Sequence, residues 1–255
     1  MSFSWLHQFE AALLSIALCA AMIAAAWFGV RRARSHPDAK ESGAIETALL
    51  ALLGLLLAFT YSGATSRFET RGRLMVDAAN AMRAAVQRAD FYPPQTRSAL
   101  RLDLAEYLKA QIEFYRAEHD EAELRVAATK VRAIQQRLWS HVVSAAGEPS
   151  NALATDQMSR ALDSMFSLAV SRDVAAQSRM PGIVLVLLFV VATATAYASG
   201  RGSHAVVQTS RWVIFAVLTS LVVYVTLDLD QPGRGVIRRD LQERAIEAVG
   251  TLLEG

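Results

Sequence analysis

Only one cysteine, Cys19, occurs in the 255 residues, so no intrachain disulfide can form, and its apolar neighbours make it a small lipid- or helix-facing residue. The five histidines, His7, His36, His119, His141 and His204, are scattered, with no H-x3-H or similar spacing, and no metal site is expected. G-x-G occurs at Gly200 to Gly202 without the strand of a βαβ unit before it, which reads as a flexible turn rather than a phosphate loop. Nothing resembles a nucleophile elbow or a pair of catalytic carboxylates, so neither catalysis nor a cofactor is expected. No segment alternates apolar and polar residues with period two, which excludes a sheet. Charge of one sign is also missing. The net charge is +2, and the basic residues are spread among nearly as many acids, as on solvated helix faces and unlike a nucleic-acid footprint.

What the sequence has instead is long apolar runs, in keeping with 53% hydrophobic residues. Ala11 to Val30 and Thr47 to Ser66 each hold twenty uncharged residues. At about 1.5 Å rise per residue, such a run spans a hydrocarbon core of roughly 30 Å. The basic cluster Arg31, Arg32 and Arg34 follows the first run rather than preceding it, the reverse of a cleaved signal peptide. Residues 1–66 are therefore expected to form a transmembrane hairpin with spans at 11–30 and 47–66, joined by a polar loop containing Pro37 and Gly43. Residues 179–229 predict a second hairpin, with spans at 180–200 and 212–228. Pro181 is tolerated there in the first turn. The last span has only sixteen uncharged residues between Arg211 and Asp228, so one of those charges must snorkel. The tail, 230–255, turns at Pro232 and Gly233 and reads as a short amphipathic surface helix.

Between the hairpins, residues 67–178 read as helical and extramembrane, entered without a break from the second span. Pro93 and Pro94 must end that rod. Thr96 or Ser98 then caps a helix whose apolar positions Leu100, Leu104, Leu108 and Ile112 recur every fourth residue, with Tyr107 and Tyr115 beside them. From about Glu121, Leu124, Ala127, Val131, Ile134 and Leu138 alternate steps of three and four, the seam of a bundle. Gly147 and Pro149 close this helix, and a further one from Asn151 carries Leu162, Met165, Phe166, Ala169 and Val174 on one side. The fold class is thus an all-α membrane protein with four transmembrane helices and a central helical extramembrane domain continuous with helices 2 and 3.

Four spans put the central domain and the tail on one face of the membrane. Basic residues after the first span, and none before it, place the loop between the first two spans in the cytoplasm and the central domain outside. Arg67, Arg71, Arg73, Arg172 and Arg179 at the ends of the central domain argue the reverse, and short loops and the first helix carry more weight. The same topology brings Arg67, Arg71 and Arg73 towards Asp228 and Asp230. Charges at that depth need partners, so these residues form either a salt-bridge collar that fixes helix ends or a charged vestibule at a pore mouth. Arg211 reads as a snorkelling anchor or an anion contact. Thr60, Ser62, Thr65 and Ser66 lie among Gly54, Gly63 and Ala64, which suits close helix packing or a water-filled path.

The run LLLAFTYSGATSRFETRGRLMVDAANAM, the YPP after it and above all VTLDLDQPGRGVIR after the last span resemble the bacterial bestrophin-like domain family, membrane proteins of largely unknown function. The resemblance covers about Ala44 to Arg238. Its motif positions include Asn80, Pro232 and Gly235, while Ala78 stands where the family has an acid. A relation to bestrophins implies a homo-oligomeric, pentameric anion channel whose second span lines the pore and whose helical domain is cytoplasmic, opposite to the charge-based orientation. Leu55, Phe59, Thr60, Gly63 and Ser66 are then the pore-lining candidates, although the register Leu55, Phe59, Gly63 lacks a bulky third member. The expected partners are the lipid bilayer, further copies of the chain and inorganic ions such as chloride, in the bacterial inner membrane. The alternative is a non-conducting scaffold or sensor whose helical domain binds a partner.

Overall fold

The computed structural model describes residues 10–35, 43–116, 121–201 and 209–230. The tail beyond Asp230, with its expected surface helix, Pro232 and Gly235, lies outside them, as do His7, His36, His119 and His204. Seven α-helices follow one another: α1 Glu10–Ser35, α2 Gly43–Ala89, α3 Pro94–Arg116, α4 Glu121–Ala145, α5 Ala152–Gln177, α6 Gly182–Arg201 and α7 Thr209–Asp230. A 3-10 turn, Pro149–Asn151, precedes α5, and no strand occurs among the described residues. Helices α1, α2 and α7, and the segment ending with α6, are long and apolar enough to cross a membrane.

Helix ends follow local chemistry. Helix α1 outruns its apolar stretch because Arg32 and Arg34 complement the negative end of the helix dipole. Helix α2 runs unbroken for 47 residues. It then tightens into i→i+3 bonds, from the amides of Asp90, Phe91 and Tyr92 to Gln87, Arg88 and Ala89, just ahead of Pro93. Helix α3 starts at Pro94, where a missing amide costs nothing, so neither Thr96 nor Ser98 caps it. Ser98 lies within the helix, and its hydroxyl donates to Pro94 O at 2.9 Å. Between α5 and α6, residues 178–181 are not helical. Pro181 forces this break by pushing Met180 extended, so the third span begins at Gly182 rather than running on from α5.

The described residues fall into two compact units, residues 10–69 with 178–230, and residues 70–177. In the first, α1 packs against both α6 and α7. Its core includes Leu18, Met22, Leu53, Leu188, Ala192 and Val223. Several hydroxyls inside it bond to their own helix, as an apolar surround favours, while Ser220 Oγ is buried with no hydrogen-bond partner among the described residues. Ser15 donates to Ala11 O at 2.7 Å, Thr195 to Val191 O at 2.7 Å and Thr226 to Val222 O at 2.8 Å.

The second unit packs α3 on α4 and α4 on α5. Tyr92, Leu100, Leu104, Tyr107, Ile134, Leu138, Met158 and Leu162 are its largest fully buried side chains. The α4 seam is buried at Ala127, Val131, Ile134 and Leu138 and continues through Val142 and Ala145. Val174 departs from the expected α5 face, since the seam there is carried by Met158, Ala161, Leu162 and Met165, and Val174 is exposed.

Candidate functional site

The first unit leaves one membrane-length helix almost uncovered. The apolar window of α2 is 11% buried, against 28% to 33% for the other three. Its buried row is Leu53, Thr60 and Ala64. On the opposite side, Leu52, Leu55, Phe59, Ser62 and Ser66 are exposed at alternating steps of three and four, a straight stripe along the helix. Phe59 is the most open of the large apolar side chains on this stripe, at 67%. Of the expected pore-lining residues, Leu55, Phe59 and Ser66 share this face. Thr60 does not: one residue on from Phe59 is a rotation of about 100°, which turns Thr60 into the buried row. Its hydroxyl donates to Leu57 O at 3.0 Å. Gly63 is half-buried for a specific reason. A Cβ there would stand 3.4 Å from the Arg67 guanidinium, which folds back over it.

Arg67 meets Asp230 across the end of the same unit. Its Nε donates to Asp230 Oδ1 at 2.6 Å, and Asp230 Oδ2 accepts the Met180 amide at 2.7 Å. One carboxylate thus ties the end of α7 to α2 and to the residues leading into α6. Asp230 is buried and Arg67 partly so. The guanidinium Nη2 of Arg67 is also buried, with no hydrogen-bond partner among the described residues. Asp228 is half-buried. Arg211 is exposed at the far end of α7. In the second unit, Arg71 is buried and its Nε donates to Ala175 O at 3.1 Å, whereas Arg73 and Asn80 are exposed. Of the set expected as one collar, Arg67 and Asp230 form a tight pair within the first unit.

Sequence reading missed three polar or close-packed clusters. Around Tyr107, Gln111 Nε2 donates to the phenol oxygen at 2.9 Å and Gln135 Nε2 at 3.5 Å. Burial pushes the Tyr107 phenol above its usual value, and the hydrogen bonds from Gln135 and Gln111 offset part of that rise. Between α3 and α4, buried Asp103 faces Arg137 at 3.1 Å and His141 at 3.2 Å, and Arg137 also pairs with Glu106. In the first unit, α1 and α6 touch through backbone at Gly29 and Gly200. A Cβ on Gly200 would lie 2.2 Å from Ala26 O, and one on Gly29 would lie 2.4 Å from Tyr197 O. Gly200 is thus a helix-crossing residue inside α6 and no part of a flexible turn. The available signal was the small residue in both apolar runs, which marks close helix approach. Among the described residues, no group of three or more His, Cys, Asp or Glu could hold a metal ion.

Four membrane-length helices, the second of them a 47-residue rod, define an all-helical, multi-span membrane protein. The sequence pattern of the Bestrophin-like domain matches residues 11–238, and the chain belongs to that family. Solved structures agree with this fold. A bacterial bestrophin homologue from Klebsiella pneumoniae, carrying one substitution, is 12% identical over 96% of this chain and 99% of its own, with a TM-score of 0.75. The same organism's homologue solved by zinc phasing is 15% identical, over 93% of this chain and 96% of its own, with a TM-score of 0.72. No curated protein matches the chain.

Proposed function

We propose that the chain is one subunit of a homo-oligomeric ion channel in the bacterial inner membrane, conducting anions along α2. The observation that carries this reading is the nearly uncovered second span, 11% buried within its own chain. Lipid alone suits Leu55 and Phe59 but not Ser62 on the same stripe. Ser62 is better matched by water or another helix. Copies arranged around a central axis supply both, with the apolar part of the stripe as a constriction and Ser62 towards its wetter end. Phe59 then forms the narrowest part together with Leu55. Thr60 serves packing within the subunit, and Arg67 is neutralised by Asp230 instead of lining the path.

The test is ion flux through the purified protein in liposomes, with chloride and potassium gradients imposed separately and oligomer mass measured on the same sample. Chloride-dependent flux from a ring-sized assembly is the expected result. No flux under any gradient from a dimeric protein would reject the channel and leave the scaffold or sensor reading. Potassium-driven flux without chloride flux would reject anion conduction alone.

A further inference from the structure

The outer face of α1 carries a sequence of chemistry matched to a phospholipid. Ile16, Ile23 and Trp27 are exposed, on the side away from the buried row Leu18, Met22 and Ala26. The same stripe then reaches Arg31 and Arg34, at i+4 and i+7 from Trp27, both exposed. Arg31 lies over the Trp27 ring, 5.4 Å from its centroid. Such stacking holds a guanidinium in place while its outer edge stays open for an anion. Tryptophan marks the boundary between hydrocarbon and headgroups, so Arg31 and Arg34, one to two turns further, sit at headgroup depth.

The surroundings concentrate positive charge at this end of the unit. The Gly29–Gly200 contact brings the end of α6, with Arg201, against the end of α1. The Asp230–Met180 bond sets the end of α7 beside the start of α6, so the first turn of α7, with Arg211, belongs to the opposite end, that of Arg201. Arg31, Arg32, Arg34 and Arg211 thus share this end with one described acid, Glu46 in the first turn of α2, whose helix start is placed here by the 3.4 Å Thr195–Leu49 contact. Among the described residues, none of Arg31, Arg32, Arg34 and Arg211 makes an ion pair with a carboxylate. The helix dipole accounts for arginines in a last turn, but not for a stacked Arg31 and an exposed Arg34 on one line with an apolar stripe. A second copy of the chain would bring like charge onto like charge.

We propose that the Trp27–Arg31–Arg34 face of α1 binds an anionic phospholipid, its phosphate headgroup on the two arginines and an acyl chain along Ile16 and Ile23. This surface belongs to α1 and not to α2, and the proposal stands whether or not the protein conducts. The experiment titrates the full-length oligomer in neutral detergent with phosphatidylglycerol or phosphatidylcholine and reads retained lipid by native mass spectrometry. Wild type is expected to retain phosphatidylglycerol about tenfold better, since basic residues near a membrane surface each contribute on the order of 1 kcal/mol before screening. The double variant R31Q/R34Q is expected to lose that preference with oligomer mass unchanged. Equal retention of the two lipids by wild type overturns the proposal, and so does a preference that survives in the variant. Complete displacement of phosphatidylglycerol by inorganic phosphate at equal concentration would also overturn it, assigning the arginines to free phosphate. Should the double variant fail to assemble, R34Q is measured alone, and an undiminished preference there has the same force.

Discussion

Asp230 commits both carboxylate oxygens, one to the Arg67 guanidinium and one to the Met180 amide, so its loss strands a partly buried cation and an orphaned donor together. Removing one member of a buried pair costs on the order of 3 to 5 kcal/mol. Asp230→Asn keeps an acceptor for Met180 but not the charge. It is expected to cost about 3 kcal/mol, read as a lower thermal transition and lower yield of assembled protein. Asp228→Asn, at a half-buried position, is expected to leave both readings near wild type. In the second unit, Tyr107 gives a pH signature. Its phenol value is raised by burial, so the folded state favours the neutral form. The associated stability is full below the unfolded tyrosine value of about 10 and is lost as pH rises through the higher folded value. Tyr107→Phe should remove this part of the alkaline loss. At neutral pH it should cost about 1 to 2 kcal/mol, because the Gln111 amide loses its acceptor. Unfolding followed between about pH 8 and 11, a window that brackets the ordinary tyrosine value, checks both effects.

Helices α1 and α6 meet where neither has a side chain, so a methyl group there collides with backbone, which cannot rotate away as a side chain can. Gly200→Ala is expected to destabilise by roughly 1 to 3 kcal/mol, the usual range for overpacking. At Gly72 in α2 a Cβ would meet nothing within 4 Å, and Gly72→Ala should stabilise by about 0.5 to 1 kcal/mol through helix propensity. Thermal unfolding of the two variants side by side checks the contrast. The same elements show what could be read from the chain. Tandem prolines and the step pattern from Glu121 mark helix ends because they act within a few residues. The roles of Gly200 and Thr60 depend on a neighbouring helix or on rotational phase, which local pattern does not encode. The approach of Arg67 to Asp230 was legible because topology alone brings the exits of α2 and α7 together. The fold-back over Gly63 was not, since it depends on the path of one side chain.

At the scale of the whole molecule, a chain that buries so little of α2 places its most informative residues where they do nothing for its own folding. Phe59 is 67% exposed within the chain, so Phe59→Ala removes almost no intrachain packing, whereas truncating a core aromatic such as Tyr107 typically costs about 3 kcal/mol or more. In the proposed ring of copies the same change would widen the constriction once per subunit. Phe59→Ala is therefore expected to leave subunit folding near wild type while raising chloride flux several-fold in liposomes. Phe59→Trp should lower flux without affecting assembly. Unaltered flux in both variants, with oligomer mass preserved, would move the constriction away from Phe59. A loss of assembly in Phe59→Ala with normal subunit folding would instead make the stripe a packing surface between copies, with the conducting path elsewhere.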